Sequence, residues 1–156
     1  MGSELHTELP EANVGILIAT YGRPDELTET LRSLAVLDSP VEKIVVVDAS
    51  PDPTRHEVEA AVLKASDFLP VEYLYSYIAS SCVQRNIGAT RLLDYGVDYI
   101  QVIDDDTRPS PDYVSRLLKL LNSFPNAVGA SGVTVPFGKS TSLLDTFSIF
   151  IIISPL

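Results

Sequence analysis

Short apolar runs recur along this chain roughly thirty residues apart, the length of one strand-plus-helix unit, and that recurrence constrains the fold more than any other feature. Val14-Gly15-Ile16-Leu17-Ile18-Ala19, Lys43-Ile44-Val45-Val46-Val47-Asp48 and Tyr99-Ile100-Gln101-Val102-Ile103-Asp104 are the clearest. Val71 to Tyr75 and Ala127 to Val135 are weaker, diluted by alternation or glycine. Nearly continuous apolar stretches are what strands buried on both faces of a parallel sheet require. Helical patterns fill the intervals. Pro24 suits a first helical position, and Leu27, Leu31 and Leu34 then share one face. Val58, Ala61 and Val62 predict a short helix, and Val83, Ile87 and Leu92 a longer one. Ser110 is expected to cap a further helix, with Pro111 and Asp112 in its first turn and Val114, Leu117, Leu118 and Leu121 as its apolar stripe. The alternation predicts an α/β fold with a mostly parallel sheet flanked by helices.

Composition agrees with a folded domain and removes several alternatives. The chain has 156 residues, 46% of them hydrophobic and 21% charged, enough to bury a core without a metal or disulfide staple. Cys82 is the only cysteine, so an internal disulfide framework is excluded. The formal charge is −10, the basic residues are scattered singly, and the acids include the run Asp104-Asp105-Asp106. Nucleic acid is therefore not an expected partner, and any phosphate bound here calls for a divalent cation. Residues 1–13 form a polar lead-in without the basic start and apolar stretch of an export signal, which predicts a cytoplasmic location. At the other end Phe147-Ser148-Ile149-Phe150-Ile151-Ile152-Ile153 is densely apolar but far short of the about 20 residues that span a bilayer. That run is expected to be either a buried strand or helix start belonging to a larger domain or, on the sharper reading, the sign of a natural chain that continues past Leu156. Exposed, it would invite self-association or contact with the inner face of a membrane.

Open α/β sheets bind ligands at the carboxyl ends of their strands, so the residues there are the candidate site. They are Thr20-Tyr21-Gly22-Arg23, then Asp48, then Asp104-Asp105-Asp106. Three adjacent carboxylates beside an apolar strand are costly unless a cation or hydrogen-bond donors compensate them. In an extended segment Asp104 and Asp106 would face one way and Asp105 the other. Oxygen ligands of this kind suit Mg2+ or Mn2+ with positions left for water and a diphosphate; the bland alternative is a solvated acidic turn. Asp48 is placed to accept hydrogen bonds from a nucleoside, or simply to close an Asx-turn in Asp-Ala-Ser-Pro. Arg23 and the backbone at Gly22 can meet a nucleotide, and Arg85 lies on a helix within reach of the same edge. No G-x-G-x-x-G follows the first strand, and no G-x-x-x-x-G-K-[ST] or G-x-S-x-G is present. His6 and His56 fall in the lead-in and in a surface helix, which gives a Ser-His-Asp hydrolase no support.

Taken in order, Ala19-Thr20-Tyr21-Gly22-Arg23-Pro24, Val47-Asp48, Gln84-Arg85-Asn86-Ile87-Gly88 and Val102-Ile103-Asp104-Asp105-Asp106 resemble the family 2 glycosyltransferases of the GT-A fold, a Rossmann-like sheet. The resemblance covers about Val14 to Val135. It implies a nucleotide-sugar-binding domain over residues 14–136, with 137–156 as the start of a missing acceptor-binding half. It further implies that Thr20, Tyr21 and Asp48 hold the base and ribose of a nucleotide diphosphate sugar. Arg23 and Arg85 would lie near the nucleotide or its phosphates, and Asp104 to Asp106 look like the family's D-x-D element. In that element Asp104 and Asp105 would face the ribose or sugar, and Asp104 and Asp106 a divalent metal, Mg2+ or Mn2+. The implied reaction is inverting, metal-dependent transfer of a sugar to an acceptor hydroxyl on a glycan, a lipid or a small molecule, with the catalytic base beyond Leu156. Gly22 departs from the family's frequent asparagine and Gln84 from its frequent alanine. Two other readings compete: a truncated, non-catalytic nucleotide-binding module, and a haloacid-dehalogenase-like phosphatase, whose D-x-D-x-T nucleophile motif Asp104-Asp105-Asp106-Thr107 imitates.

Overall fold

Each expected strand from Val14 to Asp104 forms, and the helices between them pack against both faces of one sheet. A computed structural model of the chain describes residues 12–124 and 126–132, together with the backbone of Ile152 and Ile153. The elements run β1 (Val14–Thr20), α1 (Pro24–Leu34), β2 (Lys43–Asp48), α2 (Thr54–Ala65), β3 (Val71–Tyr75), α3 (Ser81–Asp94), β4 (Tyr99–Asp104), α4 (Tyr113–Ser123) and β5 (Ile152–Ile153). The spatial order is β3-β2-β1-β4-β5, parallel throughout except that β5 runs antiparallel to β4. The chain therefore steps outward from β1 to β3, then returns to the other side of β1 to lay down β4. That reversal opens a crevice at the carboxyl ends of β1 and β4, where Ala19 is in register with Asp104.

Strand alternation divides the core in two. Ile16, Ile18, Ile44, Val46 and Ile103 face Leu27, Leu31 and Leu34 of α1 and Val58, Val62 and Ala65 of α2. Leu17, Val45 and Val47 face the opposite way, against Leu92 of α3 and Val97. Val14 continues the first face and meets Val114 and Leu118 of α4. Residues such as Ile16, Val45, Val46 and Leu92 are wholly buried, as double-sided coverage demands.

Three sequence expectations change in detail. Pro24 does open α1, but α4 starts at Tyr113, not at Pro111. The Ser110 hydroxyl donates to the Asp112 carboxylate at 2.7 Å, and Tyr113 N–H donates to Ser110 C=O, so Ser110-Pro111-Asp112 forms a turn ahead of the helix instead of its cap. The helix foreseen around Val58 is longer than expected, from Thr54 to Ala65. No strand forms over residues 127–132, where Ala127 N–H closes a turn onto Phe124 C=O; the remainder of that predicted run, the lead-in up to residue 11 and most of the C-terminal apolar run lie outside the described residues. Among the described residues no helix is long and apolar enough to cross a membrane.

Helix α3 approaches the sheet most closely, through Gln84, Gly88 and Leu92 on one face. A Cβ at Gly88 would fall 2.0 Å from Leu17 Cδ1 and 3.1 Å from Val47 Cγ2, so hydrogen is the only side chain that lets α3 sit there. One turn earlier, Gln84 Nε2 donates to the carbonyls of Thr20 and Val47, both at 2.8 Å, and ties the ends of β1 and β2 to the helix. Near the helix's other end Arg91 and Tyr95 both donate to Glu72 on β3. These donors, Arg91 first, hold the Glu72 carboxyl below the usual range despite partial burial.

Three outcomes follow from this packing. Gly88→Ala should lower unfolding free energy by about 1–3 kcal/mol through overpacking, measured by urea denaturation. Gln84→Leu removes two buried hydrogen bonds between α3 and the strand ends, although Thr20 C=O still accepts from Ala49 N–H, and should cost about 1–3 kcal/mol in the same assay. The stabilisation from Glu72 is present above the carboxylate's unfolded pKa and is lost as pH falls through its lowered folded value. Glu72→Gln should thus be less stable than the wild type at neutral pH, and the two stability curves should converge in acid.

Candidate functional site

The site is assembled where β1 and β4 part. Thr20 ends β1 with its side chain buried, and its hydroxyl donates to Asp105 Oδ2 at 2.7 Å. Strand β4 ends at Asp104, and the chain turns at Asp105 and Asp106, with Thr107 N–H donating to Asp104 C=O. The turn is anchored from α1 as well, since the Thr30 hydroxyl donates to Asp105 C=O at 2.7 Å. Asp105 is nearly enclosed, its side chain 9% exposed, whereas those of Asp104 and Asp106 are about half exposed at 48% and 54%. The middle acid thus turns inward while its neighbours lie half exposed, at a turn and not in extended chain, each on a different arginine.

Arginines supply much of the charge compensation. Arg23 Nη1 reaches Asp105 Oδ1 at 3.2 Å and Asp106 Oδ2 at 3.0 Å. Arg85 Nη2 reaches Asp104 Oδ1 at 2.9 Å. Burial pushes the Asp105 carboxyl up from its ordinary value, and the Thr20 hydroxyl and the Arg23 charge pull against that shift. The same carboxylates hold the Arg23 guanidinium above its ordinary value, Asp105 contributing most, so it stays cationic. Among the described residues no three His, Cys, Asp or Glu groups converge on one point, so a cation cage built from protein alone is absent there. Asp104 and Asp106 are half-exposed carboxylates, each paired with an arginine, and hard oxygen donors of that kind are the ones Mg2+ prefers.

Asp48 is wholly buried at the end of β2. Its Oδ1 accepts from Ser50 N–H at 2.8 Å and from the Ser50 hydroxyl, and its Oδ2 accepts from Tyr73 OH at 3.0 Å. This is the Asx-turn alternative, extended by a tyrosine whose own pKa burial and Asp48 push up. Ser50 Oγ in turn accepts from Gly22 N–H at 2.7 Å. Gly22 has φ of +71°, a left-handed conformation that glycine and asparagine both tolerate, which explains why the departure from asparagine costs the turn nothing.

These elements enclose an open cleft of about 380 Å³ lined by Ala19, Thr20, Tyr21, Arg23, Gln84 and Asp105 together with Ala79 and Ser81. Tyr21 is half exposed on its rim. Of the predicted site residues, Thr20, Tyr21, Arg23 and Asp105 share the cleft. Asp104 and Arg85 form a pair of their own, Asp106 is joined to the cleft through Arg23, and Asp48 stands behind its wall. Sequence reasoning gave no role to Gln84, Ser50, Tyr73 or Thr30. Gln84 and Thr30 carried a signal, each being a polar residue on the buried face of a helix, in line with Gly88 and Leu92 or with Leu27 and Leu31. Tyr73 and Ser50 carried none, because their partner is a long-range or turn contact.

Comparison with known proteins fits this geometry. The family described as glycosyl transferase family 2 matches residues 15–146. The succinoglycan biosynthesis protein ExoM of Rhizobium meliloti is 32% identical over 130 residues, which cover 80% of this chain and 38% of that protein. The TarS 1–349 structure from S. aureus, in complex with UDP-GlcNAc, superimposes with a TM-score of 0.61 at 21% identity, over 91% of this chain and 45% of that one. The mannosyltransferase PcManGT from Pyrobaculum calidifontis, in complex with GDP-Man and Mn2+, gives a TM-score of 0.58 at 23% identity, over 70% and 32% respectively. The chain spans about two fifths of the length of the curated relatives it matches. With strand order, switch-point cleft and acidic turn all in the places that the match covers, the chain belongs to glycosyl transferase family 2 and has the GT-A fold.

Proposed function

We propose that this chain carries the donor site of an inverting, metal-dependent glycosyltransferase, taking a nucleotide diphosphate sugar and passing the sugar to an acceptor hydroxyl. The observation that carries this reading is the cleft at the β1/β4 switch point, lined by Thr20, Tyr21, Arg23 and Asp105, with Asp106 joined to it through Arg23 and Asp104 in register with Ala19 of its lining. Similar proteins holding UDP-GlcNAc, or GDP-Man with Mn2+, support the choice of ligand class.

In this reading Tyr21 and the Thr20 end of β1 receive the nucleoside. Asp48 acts through Ser50 and the Gly22 amide, keeping that wall in shape. Asp104 and Asp106 would hold Mg2+ or Mn2+, which when bound neutralises charge gathering on the departing nucleoside diphosphate. Arg23 and Arg85 are the cations nearest the acids and serve the diphosphate. Asp105, enclosed and hydrogen-bonded, fixes the turn on which its two neighbours stand. No residue of the described cleft is assigned as the base, and the acceptor is an alcohol of unassigned class. Use of a sugar nucleotide is consistent with work on the cytoplasmic side of a membrane.

Calorimetric titration of UDP, GDP and dTDP, each with Mn2+ or Mg2+ and again with chelator, tests the reading. One nucleotide should bind in a metal-dependent way. Asp106→Ala should weaken that binding by at least about tenfold with the circular dichroism unchanged. Unchanged affinity in the variant overturns the role of Asp106, and a folded wild type that binds none of the three overturns the donor site.

A further inference from the structure

Arg23 belongs to two structures at once. Its guanidinium joins Asp105 to Asp106, and its side chain, 52% exposed, also lines the cleft. The two carboxylates it joins are unequal partners. Asp105 is enclosed, and the Thr20 hydroxyl and the Arg23 guanidinium hold its two oxygens, so it is fixed in place. Asp106 is half exposed, and it is paired with Arg23, which itself lines the cleft.

We infer that Arg23 is a counter-ion relay: it neutralises Asp106 until a divalent cation takes that carboxylate, then turns to the nucleotide's diphosphate in the adjoining cleft. This rests on the donor-site reading above and adds to it a coupling between the two ligands. A guanidinium and a divalent ion repel each other and compete for one carboxylate, so cation binding must loosen the Arg23–Asp106 pair. The pair with Asp105 keeps the freed side chain at the cleft wall, where its planar donor fork matches a diphosphate. A diphosphate arriving first draws Arg23 the same way and uncovers Asp106. Each ligand therefore raises the other's affinity, by the same factor in both directions. Arg85 is paired with Asp104 in the same way, so a cation shared by both acids loosens that pair too; Arg23 differs in that it also holds Asp105 and lines the cleft, which gives it a second partner to turn toward.

The test uses this chain with Mn2+ alone, with UDP or GDP alone, and with both, followed by calorimetry and by the paramagnetic resonance signal of free Mn2+. Arg23→Gln should bind Mn2+ alone about three- to tenfold more tightly, because the competent state of Asp106 is no longer shared with a guanidinium. It should bind the nucleotide more weakly, and the Mn2+–nucleotide coupling factor should fall by a similar amount. Arg23→Lys, which keeps the charge, should retain the weak Mn2+ binding of the wild type. Arg32→Gln removes one charge from an exposed site on α1, the helix that Arg23 precedes, and should change Mn2+ affinity less than about twofold, as expected of a screened surface charge. If Arg23→Gln leaves too much buried charge on Asp105 to fold, the same comparison is made with Asp105→Asn against Asp105→Asn/Arg23→Gln. Metal-dependent nucleotide binding in the wild type with an Mn2+ affinity in Arg23→Gln no different from Arg32→Gln overturns the relay and leaves the donor site standing. Absence of nucleotide binding by the wild type overturns both.

Discussion

The buried carboxylate of Asp105 organises the functional end of this domain. It sits where two parallel strands separate, in a position that burial alone would make hostile to its charge, and two donors to its oxygens make it tolerable while a third holds its backbone. The Thr20 hydroxyl comes from β1, the guanidinium of Arg23 from the residue before α1, and the Thr30 hydroxyl holds the Asp105 carbonyl from within α1. Three separate pieces of chain are thereby pinned to one residue. A buried ionic group of this kind is weak evidence for stability, since desolvation offsets much of the attraction. Its effect is geometric: the turn after β4 is held to the end of β1, and the outward carboxylates on either side of Asp105 are directed toward solvent.

Behind that end, hydrophobic burial supplies the rigidity. Both faces of β1 and β2 are covered, α1 and α2 on one side and α3 on the other, so the strand ends cannot shift without disturbing two cores. The close approach of α3 at Gly88 brings Gln84 near enough to bond the last carbonyl of β1 and the next-to-last of β2. The position where the family often has alanine thus carries, in this chain, a direct link between helix packing and the floor of the cleft.

Much of this was readable in the residues themselves. Unbroken apolar strands, Pro24 at the head of α1 and leucine stripes at helical spacing are local consequences of burial and backbone geometry, and they gave the order and type of the elements up to α4. The three strand-end constellations were also legible, because a polar cluster after an apolar strand has few places to go. The pairings within the site were not. Asp48 turned inward to Ser50 and Tyr73, and Arg23 and Arg85 divided the acidic triplet between them. Each of these depends on side chains brought together from distant parts of the chain. Ser110 misled because its hydroxyl found a carboxylate two residues on before it could reach a helical amide.

The reversal of strand order at β1 has one more consequence. Thr20 and Asp105 stand 85 positions apart in sequence, with three helices and three strands folded between them. Their cleft cannot be made by any local segment; it comes into being only when β4 finds β1, after the chain has built outward and come back. Such non-local parallel pairing is the slow part of folding. The ligand cleft is thereby a read-out of the completed sheet, and a chain arrested before that last docking would keep its β1–β2–β3 half and have no place to bind.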